Sequence, residues 1–404
     1  MQQLFEIQNV IIEEFEKLPF YPRKIFEKIT LDNRINGVVG FRGVGKTTFL
    51  LRKVIEKGAK ERKALYISAD NLYFLENRLI DLVDQLHKKT TIRFICIDEI
   101  HKYPNWNQEL KNIYDTYFDF KVLFSGSSTI DLVKSRFDLS RRVTLYDLHG
   151  FSFREYLESQ FNLSLSTFRL EELLQDSTAI AQNLKVPHVL KYFNDYLRVG
   201  YYPFFYMFTE DREKFQAIRN TSQKTIYEDI GTLHTLKTPS LGLIERLFKF
   251  VLNSNPGELN ASKLSTHLGK DFESISMYLR WLQEAGLIRF LYSDKTGKAS
   301  FKNPVKMYPE NTNLLYAGYV QMLKHSQTGK MRETFAICHL QNANHSVYYT
   351  RRGDFKIEDT VFEVGGKNKS FSQIKDEKQG YILADDITIG SGSKIPLYLL
   401  GFLY

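Results

Sequence analysis

The chain has 404 residues, a length that corresponds to two to four domains at the usual ~100–200 residues each. Hydrophobic residues make up 43% of it and aromatic residues 14%, which supports sizeable cores and excludes an intrinsically disordered protein. The formal net charge of +8 is compatible with attraction to nucleic acid or to an anionic membrane surface, but charge by itself does not decide between these partners.

Cysteine usage and the absence of long apolar runs predict the compartment. Cys96 and Cys338 lie far apart and show none of the paired spacings of disulfide frameworks or zinc sites, which fits a reducing environment. The first 18 residues carry glutamates in place of the basic start and uninterrupted apolar stretch of a signal peptide. No apolar run approaches the ~18 residues needed to span a bilayer. The sequence therefore predicts a cytoplasmic protein without a membrane span.

The first 150 residues alternate between short apolar stretches and helix-like stretches. An N-terminal helical segment is predicted over residues 1–36, with a turn at Tyr21-Pro22-Arg23. Strands are predicted at 37–40, 64–68, 93–97, 121–125 and 143–146. This alternation indicates βαβ units and a parallel sheet, in which right-handed crossovers place the loop after each strand at the same edge. Residues 37–150 are predicted to form this first α/β domain.

From Phe151 onward the pattern becomes helical. Residues 151–238 are predicted to form a helical lid and connector. Helical segments at 240–253, 261–269 and 271–286, followed by a strand at 287–292 and a turn, predict a winged helix-turn-helix over residues 239–302. Residues 303–404 mix helices with short strands, including one predicted at 396–402, and form a further α/β module.

The segment Gly40-Phe41-Arg42-Gly43-Val44-Gly45-Lys46-Thr47 matches the Walker A pattern and lies between a predicted strand and a predicted helix. Glycines let the backbone N–H groups turn inward, and the start of the helix adds its positive dipole end, so that the loop holds phosphates. Lys46 is predicted to reach the β- and γ-phosphates, and the Thr47 hydroxyl to bind Mg²⁺. The alternative is a glycine-rich turn without a ligand. The residues predicted to bind ATP are Gly40, Arg42, Gly43, Val44, Gly45, Lys46, Thr47 and Thr48.

Two carboxylates follow the predicted strand 93–97. Asp98 at its end faces the P-loop of a parallel sheet and is predicted to hold Mg²⁺, directly or through water. Glu99 is predicted to orient or deprotonate the attacking water, which favours hydrolysis over binding alone. Acidic pairs are usually solvated surface, so the prediction depends on the buried strand before them and on the P-loop some fifty residues earlier.

Polar residues after the next two strands are further candidates. Ser125 is predicted, in preference to Ser127, to sense the γ-phosphate; the alternative is an ordinary strand-to-helix turn. Arg142, or its neighbour Arg141, is a candidate arginine finger that acts on the phosphate of an adjacent subunit. The alternative for these arginines is a solvated or acid-paired edge.

Together these residues resemble the AAA-type P-loop ATPases of bacteria and archaea, and specifically the branch that joins such an ATPase to a winged helix and a C-terminal restriction-endonuclease-like domain. The resemblance covers most of the chain. It implies an ATP- and Mg²⁺-dependent enzyme with a possible homo-oligomeric assembly, and its biological task is mostly unknown. It is carried by the P-loop, Asp98 to His101, Ser125 to Ser128, Arg141-Arg142, 151–157, 311–316, 332–335, Gly353 to Phe355, 362–370 and 396–404.

In that branch the C-terminal domain is similar to PD-(D/E)XK nucleases, which hold Mg²⁺ with an acid and a nearby acid-X-lysine. The resemblance assigns the two acids to Asp354 and Glu363, with Glu333 as a helical third ligand. The sequence departs from the pattern because Gly365 stands where the lysine belongs, and the nearest lysine is Lys367. Gly365-Gly366 are expected to break the strand. The alternative to an active nuclease is a retained but inert scaffold.

The predicted winged helix is a poor DNA reader by composition. Its recognition helix, residues 271–280, begins with two acids and contains one arginine, whereas phosphate binding needs cationic groups on the exposed face. The wing carries Lys295, Lys298 and Lys302, which are placed to touch a nucleic-acid backbone. Packing or self-association is favoured over sequence-specific DNA binding.

The leading hypothesis is an ATP-hydrolysing AAA-type motor or switch whose C-terminal domain engages DNA, RNA or a protein partner. One alternative is an ATP-gated, metal-dependent nuclease. Another is a scaffold or signalling protein whose assembly is controlled by nucleotide with negligible turnover.

Overall fold

A computed structural model describes residues 1–126, 139, 141–256, 261–294, 304–318 and 328–404. The chain forms two compact units, Met1–Gly150 and Phe151–Tyr404. The finer domain boundaries expected from the sequence stay predictions.

The first unit contains a five-stranded sheet in the order β2-β3-β4-β1-β5, and every neighbouring pair is parallel. This confirms the parallel α/β sheet expected for a P-loop fold. Ser68 pairs with Asp98, and Val39 with Gly126, so the strand ends that carry the predicted site lie at one edge. The strands are β1 (Ile35–Val39), β2 (Ala64–Ser68), β3 (Phe94–Asp98), β4 (Lys121–Gly126) and β5 (Val143–Asp147).

Helices cover both faces of this sheet because its central strands are apolar on both sides. Every residue of β1 and β3 is buried, as parallel strands between helical layers require. Helix Leu79–Lys89 shows the matching pattern, since it buries Leu79, Leu82, Val83 and Leu86 on one face. The helices of the unit are α1 (Gln2–Glu16), α2 (Ile25–Lys28), α3 (Lys46–Glu56), α4 (Leu79–Lys89) and α5 (Trp106–Thr116).

The second unit begins with helices, interrupted by π-helical turns at Tyr196–Gly200 and Thr225–Ile230. A capping box closes the start of the first one, in which the Ser152 hydroxyl accepts from the Glu155 N–H and the Glu155 carboxylate accepts from the Ser152 N–H. The longer helices are α6 (Phe153–Phe161), α7 (Leu170–Asn183), α8 (Val189–Asp195), α9 (Asp211–Lys224), α10 (Thr238–Asn253), α11 (Ala261–Leu268), α12 (Phe272–Glu284), α13 (Thr312–Gly318) and α14 (Thr328–Asn342).

A seven-stranded mixed sheet forms the other layer of this unit, in the order β12-β11-β10-β9-β8-β6-β7. Strands β10, β11 and β12 are parallel to one another, whereas β9 is antiparallel to β10. The strands are β6 (Ile288–Ser293), β7 (Lys306–Pro309), β8 (Tyr348–Tyr349), β9 (Phe355–Ile357), β10 (Thr360–Gly365), β11 (Gly380–Ala384) and β12 (Lys394–Pro396).

Parts of the second unit differ from the sequence prediction. The predicted strand 396–402 is wrong, because Leu397–Phe402 forms a fully buried 3₁₀ helix; a short apolar run fits a buried helix as well as a strand. Strands β9 and β11 were not predicted. Strand β6 pairs with β7 and also with β8, so β6 and β7 belong to the same sheet as β9 to β12.

No helix in the described part of the chain is both long enough and apolar enough to cross a lipid bilayer.

Candidate functional site

The P-loop connects β1 to α3 through backbone that only glycine adopts easily. Gly45, which caps α3, has φ 102°, a left-handed conformation that L-residues rarely adopt. Gly40 is required for a close approach, because a Cβ there would lie 2.2 Å from the Leu148 carbonyl oxygen. Gly43 and Thr47 are exposed, so the loop opens to solvent on the side where its amide groups would meet an anion.

Lys46, the first residue of α3, is buried, and its ammonium lies on its own loop. Its Nζ donates to the carbonyl oxygens of Gly40 at 2.7 Å and Phe41 at 2.8 Å. These bonds keep the cation within the loop where the predicted phosphates would lie. Val44 is buried, whereas Arg42 and Thr48 are half-buried at the loop's margins.

Three hydroxyl groups surround the buried carboxylate of Asp98 at the end of β3. Thr47 Oγ1 and the Tyr66 hydroxyl donate to Asp98 Oδ2 at 2.7 and 2.9 Å, and the Ser125 hydroxyl donates to Asp98 Oδ1. Burial first, and then the charge of Asp98, raise the pKa of Tyr66 well above its ordinary value, so the tyrosine stays a neutral donor. Thr47 and Asp98, both predicted from the sequence, therefore meet across the P-loop.

This donor set fits a magnesium ion. Mg²⁺ prefers hard oxygen ligands, and the cluster offers a carboxylate and a hydroxyl in contact with each other at the open end of the P-loop. The groups that donate to Asp98 as described above are all neutral hydroxyls.

Ser125 lies inside the cluster and is fully buried. Its hydroxyl donates to Asp98 and accepts from the Glu99 N–H at 2.9 Å, so it fixes the turn that carries both acids. The γ-phosphate-sensing role predicted for Ser125 stays a prediction. Ser127, the alternative candidate, lies outside the described residues.

Glu99 begins a sharp turn after β3, with a left-handed backbone at φ 51°. Its carboxylate forms ion pairs with Lys102 at 2.5 Å and with the P-loop Arg42 at 3.8 Å. Lys102 also contacts Asp70, which follows β2, at 3.1 Å. Burial lowers the pKa of Lys102, but hydrogen bonds and charge from Glu99 and Asp70 outweigh it and raise the pKa overall. Glu99 is thus held beside the P-loop by cations.

Tyr66, Lys102 and Arg23 belong to this site but were not predicted from the sequence. Arg23, buried in the N-terminal segment, donates through Nη1 to the Val44 carbonyl at 3.0 Å and the His149 carbonyl at 2.8 Å, and through Nη2 to the Gly150 carbonyl at 3.0 Å. No local pattern marks it, because these partners lie 21 to 127 residues away in sequence.

The candidate arginine finger does not lie at its own chain's P-loop. Arg142 precedes β5, whose first residue pairs with Ile35 at the start of β1, so it lies at the opposite edge of the sheet. Its guanidinium binds the Asp115 carboxylate, with Nε at 3.0 Å and Nη2 at 3.3 Å. This is the acid-paired edge considered as the alternative; action on a neighbouring subunit stays a prediction. Arg141 is exposed.

In the second unit the three predicted acids come together. Lys306 on β7 contacts both Glu333 on α14, at 3.3 Å, and Asp354 before β9, at 3.6 Å. Burial, and then the charge of Asp354, raise the pKa of Glu333. Burial also raises the pKa of Glu363 on β10, and the charges of Asp354 and Glu333 contribute. We call this group of acids and lysines the acid–lysine cluster.

The lysine that reaches Glu363 is Lys369 and not Lys367, which is exposed. Strand β10 ends at Gly365, and the turn that follows returns Lys369 to the strand, where its side chain packs against Gly365. With its side-chain nitrogen directed at Glu363, the Gln373 amide donates a hydrogen bond to that carboxylate at 3.1 Å.

These acids do not fit the magnesium site that the resemblance implies. Each of them already contacts a lysine ammonium, and Asp354 additionally accepts from the Val364 N–H at 2.8 Å. Within the described ranges, no three His, Cys, Asp or Glu side chains are arranged to hold a metal ion. The metal-binding role predicted for Asp354 and Glu363 therefore finds no geometric support.

The predicted recognition helix, α12, is capped by Asp271, whose carboxylate accepts from the Ser274 N–H at 2.7 Å. Its exposed face carries Asp271, Phe272, Glu273, Met277 and Arg280. That face is mixed and not basic, as the sequence analysis expected. The wing lysines 295, 298 and 302 lie outside the described residues.

Comparison with known protein families identifies the domain that contains the P-loop. Residues 32–157 match the family model of an AAA domain. These residues form an AAA-type P-loop ATPase domain. Residues 190–317 match a second family model, a domain of unknown function (DUF8612). The AAA domain thus covers the P-loop, Asp98, Glu99 and Ser125, whereas the second match assigns no activity to the helical part of the second unit.

One curated relative is an uncharacterized protein of Methanocaldococcus jannaschii, 28% identical over 235 residues, which are 54% of this chain and 47% of the relative. The match thus spans about half of that relative's length.

The solved structures compared with this chain are similar to it only loosely. The AMPPCP-bound DnaA of Aquifex aeolicus is 15% identical, with a TM-score of 0.26 over 66% of this chain and 90% of that one. An Hsp104:casein complex of S. cerevisiae is 14% identical, with a TM-score of 0.32 over 70% of this chain and 53% of that one. Likenesses at this level say nothing about function.

Proposed function

We propose that this protein binds MgATP at the P-loop and hydrolyses it, and that it acts as a motor or switch whose second unit engages nucleic acid or a protein partner. One observation carries the proposal: the Thr47 hydroxyl and the Asp98 carboxylate are in hydrogen-bond contact across the loop. Lys46 lies in the same loop. These groups belong to an AAA domain, which supports nucleotide chemistry at family level.

Each residue has a task that follows from its position. The P-loop amides and the helix start hold the phosphate oxygens, and the Lys46 ammonium, now on the Gly40 and Phe41 carbonyls, turns to the β- and γ-phosphates. Thr47 and Asp98 provide oxygen ligands for Mg²⁺, which when bound neutralises charge that develops on the transferred phosphoryl group.

Glu99 orients the attacking water and accepts its proton. Its carboxylate lies next to Arg42 of the P-loop, and its backbone is fixed by the Ser125 hydroxyl. A general base must lie within hydrogen-bond reach of the water it activates, and the ion pairs with Arg42 and Lys102 hold the Glu99 carboxylate beside the P-loop.

We do not extend the proposal to metal-dependent nuclease chemistry. The acid–lysine cluster brings Glu333, Asp354 and Glu363 together, but each of these acids is already in contact with a lysine ammonium. The cluster is consistent with the inert scaffold considered in the sequence analysis, and the second unit then contributes binding and not cleavage.

The test is nucleotide binding and phosphate release by the full chain and by Lys46→Ala. We expect the wild type to bind ATP in the presence of Mg²⁺ and to release phosphate, and Lys46→Ala to lose both. Turnover is then measured with DNA, with RNA and with neither, and stimulation by one of them identifies the partner class. Binding without turnover would leave the nucleotide-controlled scaffold, and no affinity for any nucleotide would overturn the proposal.

A further inference from the structure

Residues 148–150, which lead out of the first unit, contact the P-loop region at two points. The first is Gly40, where the Leu148 carbonyl lies so close that no side chain fits, and where the Leu148 N–H donates to the Val39 carbonyl at 2.7 Å. The second is Arg23, whose guanidinium joins the Val44 carbonyl of the P-loop to the His149 and Gly150 carbonyls. Phe151, the first residue of the second unit, follows directly.

The hydrogen bond from Arg23 to the Val44 carbonyl affects the direction in which the next peptide N–H of the P-loop points. A peptide group is planar and its C=O and N–H point in opposite directions. By holding the Val44 carbonyl on one side, Arg23 directs the Gly45 N–H toward the other side, where the predicted phosphates bind. Gly45 has a left-handed backbone, and a glycine can adopt many backbone conformations. The hydrogen bond from Arg23 therefore restricts a peptide group that could otherwise rotate.

Arg23 itself is held in place by the helix that follows the P-loop. Its guanidinium lies 6.0 Å from the Phe26 ring centroid, and Phe26 packs on the fully buried Phe49 of α3 at 4.9 Å between ring centroids. The Arg23 side chain, which presents several donors in one plane, therefore connects the P-loop to the exit segment, and Phe26 connects the N-terminal segment to the P-loop helix.

We propose that Arg23 is a positioning residue that orients the Val44–Gly45 peptide for phosphate binding and transmits nucleotide occupancy to residues 148–150, the exit segment. When the Gly45 N–H binds phosphate, the Val44 carbonyl moves with it, and the shared guanidinium carries the displacement to His149 and Gly150. The proposal rests on the proposed function, because it requires a nucleotide in the P-loop. It adds the route by which that nucleotide affects the chain that continues into the second unit.

The experiment compares the wild type with Arg23→Ala by equilibrium nucleotide binding and by hydrogen exchange of the full chain. In the wild type, saturating ATP with Mg²⁺ slows amide exchange in both the P-loop and the exit segment. In Arg23→Ala the dissociation constant for ATP rises about tenfold, as for one lost charged hydrogen bond. At ATP concentrations that saturate the variant, its P-loop is protected again but the exit segment no longer responds.

Two further variants separate this role from general stability. Arg93→Ala removes an arginine that also donates to several backbone carbonyls, of His87, Thr90 and Ile92, but at the opposite edge of the sheet; both readouts should stay as in the wild type. Arg23→Lys keeps one charged donor and should give an intermediate response, which also serves if Arg23→Ala does not fold.

The outcomes are distinguishable. An exit segment that still responds to saturating ATP in Arg23→Ala, or in Arg23→Lys to the wild-type extent, overturns the inference and leaves the proposed function intact. A wild type that binds no nucleotide overturns both. Loss of the exit-segment response with the P-loop protected supports the inference, because a merely destabilised unit would lose protection in both places.

Discussion

Two clusters of acidic side chains, one in each unit, differ in the chemistry of the groups that contact them. Asp98 in the AAA domain accepts hydrogen bonds from the hydroxyls of Thr47, Tyr66 and Ser125. In the acid–lysine cluster of the second unit, Lys306 contacts Glu333 and Asp354, and Lys369 contacts Glu363.

The difference decides what each cluster can bind. Neutral hydroxyl donors stabilise a buried carboxylate without cancelling its charge, so a divalent cation still gains Coulomb energy when it approaches. An ammonium group cancels that charge and also occupies the space between the acids, so a cation must first displace it. Acidic residues that converge are therefore poor evidence for a metal site until the groups that contact them are known.

The largest expected effect is at Glu99, and it tests whether the first cluster performs hydrolysis. In Glu99→Gln, ATP turnover should fall by roughly 10²–10⁴-fold, because an amide cannot accept the proton of the attacking water. ATP affinity should stay close to that of the wild type, since Lys46 and Thr47 are unchanged. Steady-state phosphate release and equilibrium binding measure the two effects.

Asp70→Asn is the matched control for Glu99→Gln. It neutralises the other carboxylate that contacts Lys102 and leaves Glu99 in place, so turnover should change by no more than a few-fold. If Glu99→Gln retains wild-type turnover, Glu99 is not the general base, and the catalytic role proposed for the first unit's acids is contradicted.

A smaller effect is expected at Thr47, where the hydroxyl and the carboxylate meet. Thr47→Val keeps the shape of the side chain but removes the hydroxyl that bonds Asp98 at 2.7 Å. The Mg²⁺ concentration that gives half-maximal ATP turnover should rise about tenfold or more, as expected when one ligand is lost. Thr47→Ser, which retains the hydroxyl, should behave as the wild type, and equal Mg²⁺ dependence in all three proteins would contradict the assignment.

In the second unit the corresponding test is Lys306→Met, which removes the ammonium shared by Glu333 and Asp354. Leaving these partly buried acids without their cation should lower the free energy of unfolding by about 1–3 kcal/mol. Millimolar Mg²⁺ or Ca²⁺ should then restore part of the stability, because the cation can take the place of the ammonium. Thermal unfolding with and without the cation measures both effects.

The control for Lys306→Met is Lys356→Met. Lys356 on β9 pairs with the half-exposed Asp294, so its loss should cost below about 0.5 kcal/mol and create no response to divalent cations. If the wild type is itself stabilised by Mg²⁺ at the second unit, the acids form a metal site despite their lysines, and the contrast between the clusters fails.

Local patterns predicted much of the first unit and of its site. The Walker A segment, Asp98 and the buried strands are recognisable because the signal lies within a few residues, and the structure places Thr47 and Asp98 in contact as the parallel sheet required. Arg23 escaped prediction because its role arises only when segments far apart in sequence come together.

In the second unit the residues that form the acid–lysine cluster were harder to predict. The sequence departs from the nuclease motif, and its nearest lysine is Lys367, yet the turn after Gly365 brings Lys369 to Glu363 instead. The link from Lys306 to Glu333 and Asp354 depends on the β6–β7 hairpin joining the sheet that also contains β9, a pairing for which no short motif exists.

The smallest expected effect concerns the charge on Glu333 and its dependence on pH. Burial, and then the charge of Asp354, raise the pKa of Glu333 above its ordinary value of 4.5. A carboxyl group whose pKa is raised by folding binds its proton more tightly in the folded state. Its contribution to stability is therefore complete below pH 4.5 and is lost as the pH rises through the raised pKa.

Glu333→Gln should consequently be more stable than the wild type at neutral pH, by less than about 1 kcal/mol, and the difference should disappear toward pH 4.5. Urea denaturation between these pH values measures it. The sign is informative because two forces oppose each other at Glu333: burial and Asp354 disfavour its charge, whereas Lys306 and the Tyr308 hydroxyl, at 3.3 and 2.6 Å, favour it. A variant that is less stable at neutral pH would mean that the lysine outweighs burial, and that the cluster stabilises the second unit through its ion pairs.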